Sequence, residues 1–320
     1  MIEVQNLTKV YGGKTAVEDV SFKIRNGRIY GLLGPNGAGK STTMNIIAGC
    51  LSPTEGTVLV NGYDVCDQPI EAKRQIGYLP EQPPLFVDMT PKEYLTFVAE
   101  AKGVSDELID RQVKEAMTVT DILSVKDRLI KNLSKGYRQR VGIAQAILGS
   151  PDIVILDEPT VGLDPQQLIE IRALVRKLGG KLTVIISSHI LSEIAELCDH
   201  VIILSEGHVV ADSSMAELEA QVNPETILHM TVKGDEAGAR EVLGGIAGVG
   251  EITTLSASAE AGTVTFKVST PADTELRDDI FFAMAERRYA VISMDKSEHS
   301  LEEIFLSLTA KGKKQKEVND

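Results

Sequence analysis

The chain has 320 residues, which exceeds one average domain and is sufficient for two. Hydrophobic residues make up 43% of it, enough for a substantial core, which excludes a wholly disordered protein. Its net charge of −13 at pH 7 argues against nucleic acid as a partner, because phosphate backbones bind basic surfaces. The longest apolar runs, such as 153–156 and 184–186, fall far short of the roughly 18–20 residues that a membrane-spanning helix needs.

Cysteine usage predicts a reducing compartment. The three cysteines, at positions 50, 66 and 198, form neither a paired framework nor a cluster with metal-binding spacing. We therefore expect buried or half-buried thiols in a cytoplasmic protein. The basic cluster at 311–316 belongs to a polar tail, 311–320, that we expect to be a solvated chain end.

Strand-like and turn-like stretches alternate at the start of the chain. Segments 2–7 and 17–24 are strand candidates with glycine-containing turn signals around them, which predicts antiparallel strands. A compact apolar strand at 28–33 then leads directly into a glycine-rich loop, and segment 42–48 is compatible with a helix.

The middle of the chain predicts a helical insert followed by a parallel sheet. From 89 to 149 the apolar spacing is mostly helical, which indicates a helical subdomain over about 85–150. Strand candidates at 153–156 and 183–187 flank a helix at 166–178, and such alternation indicates a parallel sheet covered on both faces. A hairpin of 201–204 and 208–211 closes this part of the chain.

A second strand–helix pattern begins near 219–224. Its predicted elements run strand, helix, strand, strand, helix, strand: 227–232, 237–246, 251–256, 263–268, 274–288 and 291–295. This βαββαβ order is the split pattern of ferredoxin-like domains. A last helix at 301–309 follows Ser300, a candidate N-cap. We therefore predict a first domain at 1–218, a small α+β domain at 219–310 and the polar tail at 311–320.

The glycine-rich loop carries the most specific chemistry. Residues 34–42 fit the phosphate-binding pattern G-x-x-x-x-G-K-[ST] between a strand and a helix. Glycines let backbone N–H groups converge on phosphate oxygens, and the following helix directs its positive end at the same anion. Lys40 would reach the β- and γ-phosphates, and the Ser41 hydroxyl would bind Mg²⁺. The predicted nucleotide contacts in this loop are Gly34, Pro35, Asn36, Gly37, Ala38, Gly39, Lys40, Ser41 and Thr42.

Two carboxylates follow the apolar strand at 153–156. Asp157 is placed to hold Mg²⁺, directly or through water, and Glu158 to polarise an attacking water as general base. An apolar strand followed by Asp-Glu is common by itself, because strand ends often carry solvated charges. Together with the phosphate loop it indicates a nucleoside triphosphatase.

Further motifs lie in a fixed order along the chain. Tyr11 precedes the phosphate loop, Gln82 ends the stretch Gly-Tyr-Leu-Pro-Glu-Gln, and Leu-Ser-Lys-Gly-Tyr at 133–137 opens a helix. Asp164 lies in Gly-Leu-Asp-Pro, and His189 ends a strand. Each is weak alone, since a lone histidine at a strand end is usually structural. In this order, over about 1–215, they resemble the adenine-stacking residue, Q-loop, signature, D-loop and switch histidine of ABC ATPases.

This resemblance implies an α/β fold: a P-loop NTPase sheet with an antiparallel β-subdomain and a helical subdomain. It implies ATP and Mg²⁺ as ligands, with Glu158, His189 and Gln82 catalytic. Gln82 would also contact Mg²⁺, together with Ser41 and Asp157.

The same resemblance implies a dimer around two ATP molecules. The residues implied to face the ATP of the opposite subunit are Ser134, Lys135, Gly136, Tyr137 and Asp164. Lys135 and Tyr137 depart from the family's glycine and glutamine, which leaves hydrolysis expected and its rate open. The partners would be a second copy or a paralogous ATPase subunit, together with integral membrane permease subunits. The chain would then be peripheral to the inner face of the cell membrane.

A motif near the end of the chain bears on the direction of transport and implies export. Ser-Leu-Glu-Glu-Ile-Phe-Leu at 300–306 resembles the end of ATPases from ABC-2-type exporters, including drug, polysaccharide and gliding-motility-type systems, and would otherwise be an amphipathic helix closing a small domain. A chromosome-maintenance ATPase would insert a long coiled coil. A translation-associated ABC protein would usually carry two heads. A structural nucleotide-binding module would lack Glu158 or His189.

Overall fold

A computed structural model divides the chain into two compact units, Met1–Met215 and a second that begins at Ala216. The residues it describes are 1–222, 225–258, 262–271, 275–297 and 305. Each unit has a hydrophobic core of its own. No helix in the described part of the chain combines the length and the apolar character needed to cross a membrane.

The first unit contains two sheets. Its strands are β1 Ile2–Tyr11, β2 Lys14–Ile24, β3 Ile29–Leu33, β4 Glu55–Val60, β5 Tyr63–Asp64, β6 Ile76–Leu79, β7 Ile153–Leu156, β8 Thr183–Ser188, β9 His200–Ser205 and β10 His208–Ser214. The smaller sheet has the order β2-β1-β4-β5 and is antiparallel. The larger has the order β10-β9-β3-β8-β7-β6, and all its pairs are parallel except β9 with β10.

Burial explains why the larger sheet is parallel. Strands β3, β7 and β8 are buried along their whole length, and continuous apolar runs are typical of parallel strands covered on both faces. Strand β2, by contrast, has buried positions interspersed with exposed ones. Because β3, β8 and β7 are parallel neighbours, their carboxyl ends lie at one edge of the sheet, and the loops that follow them meet there.

Seven α-helices and two short 3-10 helices, Leu123–Val125 and Ile130–Asn132, accompany these sheets in the described residues up to Met215. The α-helices are α1 Lys40–Ile47, α2 Pro69–Arg74, α3 Pro91–Ala101, α4 Asp106–Val119, α5 Lys135–Ile147, α6 Pro165–Gly179 and α7 Leu191–Leu197. Helices α3, α4 and α5 share a separate core that includes Leu95, Val113 and Val141. This helical region occupies the stretch for which the sequence predicts helices.

Side chains cap the starts of α3, α5 and α6, and a lysine holds the end of α5. Ser134 caps α5, its Oγ accepting from the backbone N–H of Tyr137 at 3.4 Å. Asp164 caps α6, with Oδ1 accepting from the backbone N–H of Gln167 at 2.9 Å. The Lys102 ammonium donates to backbone carbonyls at the end of α5, including that of Leu148 at 2.8 Å. Both ends of α5 are therefore held by polar side chains.

In its described residues, the second unit contains an antiparallel sheet and three helices, the first of which begins at the boundary between the units. After α8 Met215–Val222 come β11 Glu225–Lys233, α9 Glu236–Gly244, β12 Ile252–Ser258, β13 Thr263–Pro271, α10 Arg277–Glu286 and β14 Ala290–Ser297. The strand order is β12-β13-β11-β14. Met230, Leu243, Phe266 and Ile280 are among the side chains of its core.

The structure differs from the sequence predictions in several elements. It adds β4, β6, α2 and α7, which are short or only partly apolar, and α8 occupies the place where the second pattern was expected to begin. The helix predicted at 274–288 spans only Arg277–Glu286. Ser300 and the helix predicted at 301–309 lie outside the described residues, apart from Phe305.

The cysteine prediction is correct at one position and wrong at two. Cys198 is buried, as expected, whereas Cys50 and Cys66 are exposed. Cys50 follows the end of α1 and Cys66 follows the two-residue strand β5, so both lie in surface turns where the core cannot cover them.

Candidate active site

The glycine-rich loop joins β3 to α1. Two of its glycines are required by close contacts: a Cβ on Gly34 would lie 2.4 Å from the carbonyl oxygen of Leu204, and one on Gly39 would lie 2.9 Å from that of Ala16. Gly39 also has a φ of 102°, which side-chain-bearing residues rarely adopt. Helix α1 begins at Lys40, so Lys40 and Ser41 belong to its first turn.

A cavity of about 660 Å³ opens beside this loop. Seven of the predicted nucleotide-binding residues line it: Tyr11, Asn36, Gly37, Gly39, Lys40, Ser41 and Thr42. Gly34, Pro35 and Ala38 belong to the same loop without lining the cavity. Glu158 and His189 line it as well, so segments far apart in sequence converge on one space. Its volume suits a small-molecule ligand.

Lys40 is buried and held by oxygen atoms. Its Nζ donates to the carbonyl of Gly34 at 2.8 Å and to that of Pro35 at 3.4 Å. The same ammonium lies 3.5 Å from Oε1 of Glu158, which is also buried. Because this positive charge is shielded from water and borders the cavity, an entering phosphate would interact with it strongly.

Glu158 and His189 form a contact pair at the cavity wall. Nδ1 of His189 lies 3.0 Å from Oε2 and 3.3 Å from Oε1 of Glu158. Glu158 has a φ of 47°, in the left-handed region that a non-glycine residue seldom occupies. Its backbone N–H donates to Oγ of Ser187 at 2.7 Å. A hydrogen bond from the neighbouring strand thus holds this backbone conformation.

Asp157 directly precedes Glu158 and is more deeply buried. Its buried carboxylate accepts a hydrogen bond from Oγ of Ser187 at 2.5 Å, and it is not among the residues lining the cavity. Burial, and after it the negative charge of Asp157, raises the pKa of the Tyr78 phenol above its usual range. Tyr78 is therefore neutral, and it donates to Oδ1 of Asn45 at 3.3 Å.

Gln82 is not among the residues that line the cavity. Its side chain is exposed, and its neighbour Glu81 lines the cavity instead. The structure thus brings Tyr11, the loop, Glu158 and His189 together around one cavity, which Gln82 does not line.

The signature and D-loop residues also lie outside this cavity, close to one another. A Cβ on Gly136 would lie 2.8 Å from side-chain atoms of Gln167, and one on Gly162 would lie 2.2 Å from Nζ of Lys135. Ser134, Lys135 and Tyr137 are exposed. Together with Asp164, these residues form a second polar surface that does not contribute to the cavity of its own chain.

Sequence reasoning misses the residues that support this site. Ser187 links Asp157 to Glu158, and Thr160, Ser188 and Glu193 form a further hydrogen-bonded group beside them. Serine, threonine and glutamate serve many structural purposes, so their types alone do not indicate such a role. Their only sequence signal is position, within a few residues of Glu158 or His189.

Comparison with known proteins defines the class. The family profile described as "ABC transporter" matches residues 17–161. The linearmycin resistance ATP-binding protein of Bacillus subtilis is 30% identical over 312 residues, 97% of this chain and 99% of that protein. The bacitracin transport ATP-binding protein of Bacillus licheniformis is 37% identical over 214 residues, 66% of this chain and 69% of that protein.

Solved structures agree with these relatives. One described as an ATP-binding subunit of an ABC transporter is 33% identical, with a TM-score of 0.63, covering 69% of this chain and 93% of its own. Another, a dimeric ATP-binding cassette bound to ADP and phosphate after hydrolysis, is 29% identical, with a TM-score of 0.61, covering 67% and 99%. Fold and site therefore define a P-loop ATPase cassette. The chain belongs to the ABC transporter family, as an ATP-binding subunit that hydrolyses ATP.

Proposed function

We propose that this ATPase dimerises around two ATP molecules and drives export through separate membrane subunits. The observation that carries the proposal is the contact of Lys40, Glu158 and His189 at one cavity beside the phosphate loop. Export is supported by relatives that are named for bacitracin transport, lantibiotic transport and linearmycin resistance.

ATP would occupy the cavity with its phosphates on the loop. Lys40 already sits among oxygen atoms, so a γ-phosphate would take the place of carbonyl contacts rather than require a new buried charge. The loop amides and the first turn of α1 would add dipoles of the right sign. Tyr11 lines the same cavity, 46% exposed, and would stack on the adenine ring.

Two oxygen donors fit Mg²⁺ at this site. Ser41 lines the cavity from α1, and Asp157 directly follows β7, buried behind the cavity wall, from which it would hold Mg²⁺ through water; hydroxyl and carboxylate oxygens are ligands that Mg²⁺ prefers. Bound there, Mg²⁺ would neutralise charge on the β- and γ-phosphates. Gln82, exposed and directly after the cavity residue Glu81, would supply a further oxygen donor.

Hydrolysis would proceed by in-line attack of water. The water oxygen forms a bond to the γ-phosphorus while the bond to the leaving oxygen of ADP breaks. Glu158 would accept the proton that the water loses. His189, 3.0 Å from that carboxylate, would orient it and contact the γ-phosphate.

A second subunit would complete each site. Ser134, Lys135, Gly136, Tyr137 and Asp164 lie outside the cavity of their own chain, where they would be available to the ATP of a second copy or of a paralogous subunit. The N-terminus of α5 would direct its positive end at the γ-phosphate, and Lys135 would add charge. Solved cassettes similar to this chain are described as dimeric, which supports the arrangement.

Membrane permease subunits would receive the motion. The exposed apolar side chain Phe86 follows Gln82 closely and is a candidate for docking them, so the ATPase would be peripheral to the inner face of the cell membrane. We also propose a ferredoxin-like accessory domain at 219–310, after an ATPase domain at 1–218. Its support is the βαββαβ element order with strand order β12-β13-β11-β14.

Glu158→Gln tests the proposal. The amide keeps the size of the side chain and removes the proton acceptor, so phosphate release should fall by about 10²–10⁴-fold while ATP binding persists. Size-exclusion chromatography with ATP and Mg²⁺ should then show an accumulated dimer. Glu107→Gln, an exposed carboxylate in the first turn of α4, is the control and should hydrolyse ATP normally. Wild-type phosphate release by Glu158→Gln would place the general base elsewhere.

A further inference from the structure

We infer that Glu193 is a positioning residue that holds His189 in register with Glu158. Glu193 lies in the first turn of α7 and is only 7% exposed, although it carries a carboxylate. A carboxylate is seldom buried to this degree unless other groups stabilise it. Its contacts therefore indicate what it is for.

One oxygen of Glu193 joins the loop after β7 to the end of β8. Oε2 accepts from Oγ1 of Thr160 at 2.8 Å and from Oγ of Ser188 at 3.0 Å. Thr160 follows Glu158 by two residues, and Ser188 directly precedes His189. The carboxylate thus bridges the loop after β7, which carries the proposed base, and the last residue of β8, which directly precedes the switch histidine.

The bridge is strong for its size. Hydrogen bonds to an ionised acceptor are roughly twice as strong as neutral ones, and burial strengthens them further. Ser188 is also fixed from the other side, because its Oγ accepts from the backbone N–H of Ile190 at 3.0 Å. The hydroxyl group of Ser188 therefore ties the residue before His189 to Glu193 and to the backbone of the residue after it.

His189 itself has little packing to hold it. Its side chain is 42% exposed, and its described polar contact is with Glu158, at 3.0 Å from Nδ1. The position of its backbone must therefore determine where the imidazole meets the carboxylate. Glu193 controls that position through Ser188, and the facing loop through Thr160.

This inference rests on the proposed hydrolysis and is tested through it. Glu193→Ala should lower kcat by roughly 10- to 100-fold, as expected for a small displacement of a reacting group, and leave the ATP dissociation constant unchanged. Glu193→Gln retains an oxygen that accepts from the hydroxyl groups, so it should restore most of the rate. Glu196→Ala, an exposed carboxylate of the same helix, is the control and should match wild type.

A double-mutant cycle separates positioning from general structural support. If Glu193 acts through His189, adding Glu193→Ala to His189→Ala should change kcat by less than about twofold. The inference would be overturned if the effects of the two substitutions on kcat multiplied in the double variant. A wild-type rate for Glu193→Ala would also overturn it, and so would a Glu193→Gln rate as low as that of the alanine variant. If Glu193→Ala does not fold, Thr160→Val removes one arm of the bridge and should lower kcat in the same way, and a wild-type rate there would also overturn it. Failure of the proposed function would look different from failure of this inference, because the wild-type protein itself would then release no phosphate.

Discussion

The two halves of the active site are built in different ways. The phosphate loop is one continuous stretch, Gly34 to Thr42, whose shape follows from glycines that lie against neighbouring backbone. The hydrolytic corner is assembled from the ends of β7 and β8, which are about 30 residues apart along the chain and adjacent in the sheet. Binding is thus encoded locally, and chemistry is encoded by strand order and register. Substitutions in the two halves should have separable effects on affinity and on rate.

The largest effect is expected for Lys40→Ala, and it should be on ATP affinity. Removing a buried cation that contacts phosphate costs about 2–5 kcal/mol, or a roughly 30-fold or greater rise in the ATP dissociation constant. The measurement is equilibrium titration with a fluorescent ATP analogue, beside thermal unfolding to verify the fold. Lys92→Ala, at an exposed position of α3 that does not line the cavity, is the control. An affinity equal to that of wild type would remove Lys40 from the site.

Ser187→Ala should affect the hydrolytic corner at the ends of β7 and β8, and therefore the rate of hydrolysis. It removes the hydroxyl that joins Asp157 to the backbone of Glu158, a loss of about 1–3 kcal/mol for an unsatisfied buried group. If that loss raises the barrier, hydrolysis slows roughly 5- to 150-fold while ATP affinity changes little. Ser105→Ala is a matched control, because Ser105 is exposed and its side chain does not cap α4. Loss of affinity equal to loss of rate would contradict the division into two halves.

Tyr11→Ala should have the smallest effect, and on binding alone. Stacking on a base contributes about 1–3 kcal/mol in nucleic-acid complexes, which here corresponds to a roughly tenfold weaker ATP affinity. Tyr63→Ala controls for loss of an exposed tyrosine, since Tyr63 is 36% exposed and does not line the cavity. Competition between ATP and GTP would show whether the site distinguishes adenine from guanine. An unchanged dissociation constant would assign Tyr11 to packing.

The same division explains how much the sequence predicts. The phosphate loop is predictable because its strand, glycines, lysine and helix are contiguous. Glu158 and His189 are predictable as strand-end residues, and Ser134 and Asp164 as residues of motifs that also cap helices. These predictions need no knowledge of which strands are neighbours.

The supporting contacts require the sheet itself. Ser187 meets Asp157 only because β7 and β8 are paired, and Glu193 meets Thr160 only because α7 follows β8 at that edge. Short strands such as β4 and β6 carry too few residues for a clear period. The exposed position of Gln82 likewise depends on its tertiary surroundings, which no local motif specifies.

The left-handed backbone of Glu158 sets stability against activity at a single position. A non-glycine residue at a φ of 47° costs the folded state on the order of 1 kcal/mol or more, and glycine or asparagine would relieve much of it. Improving thermostability alone would favour such a replacement, and the replacement would delete the proposed proton acceptor. In a screen of variants for stability, this position should therefore yield proteins that survive heating and no longer turn over ATP.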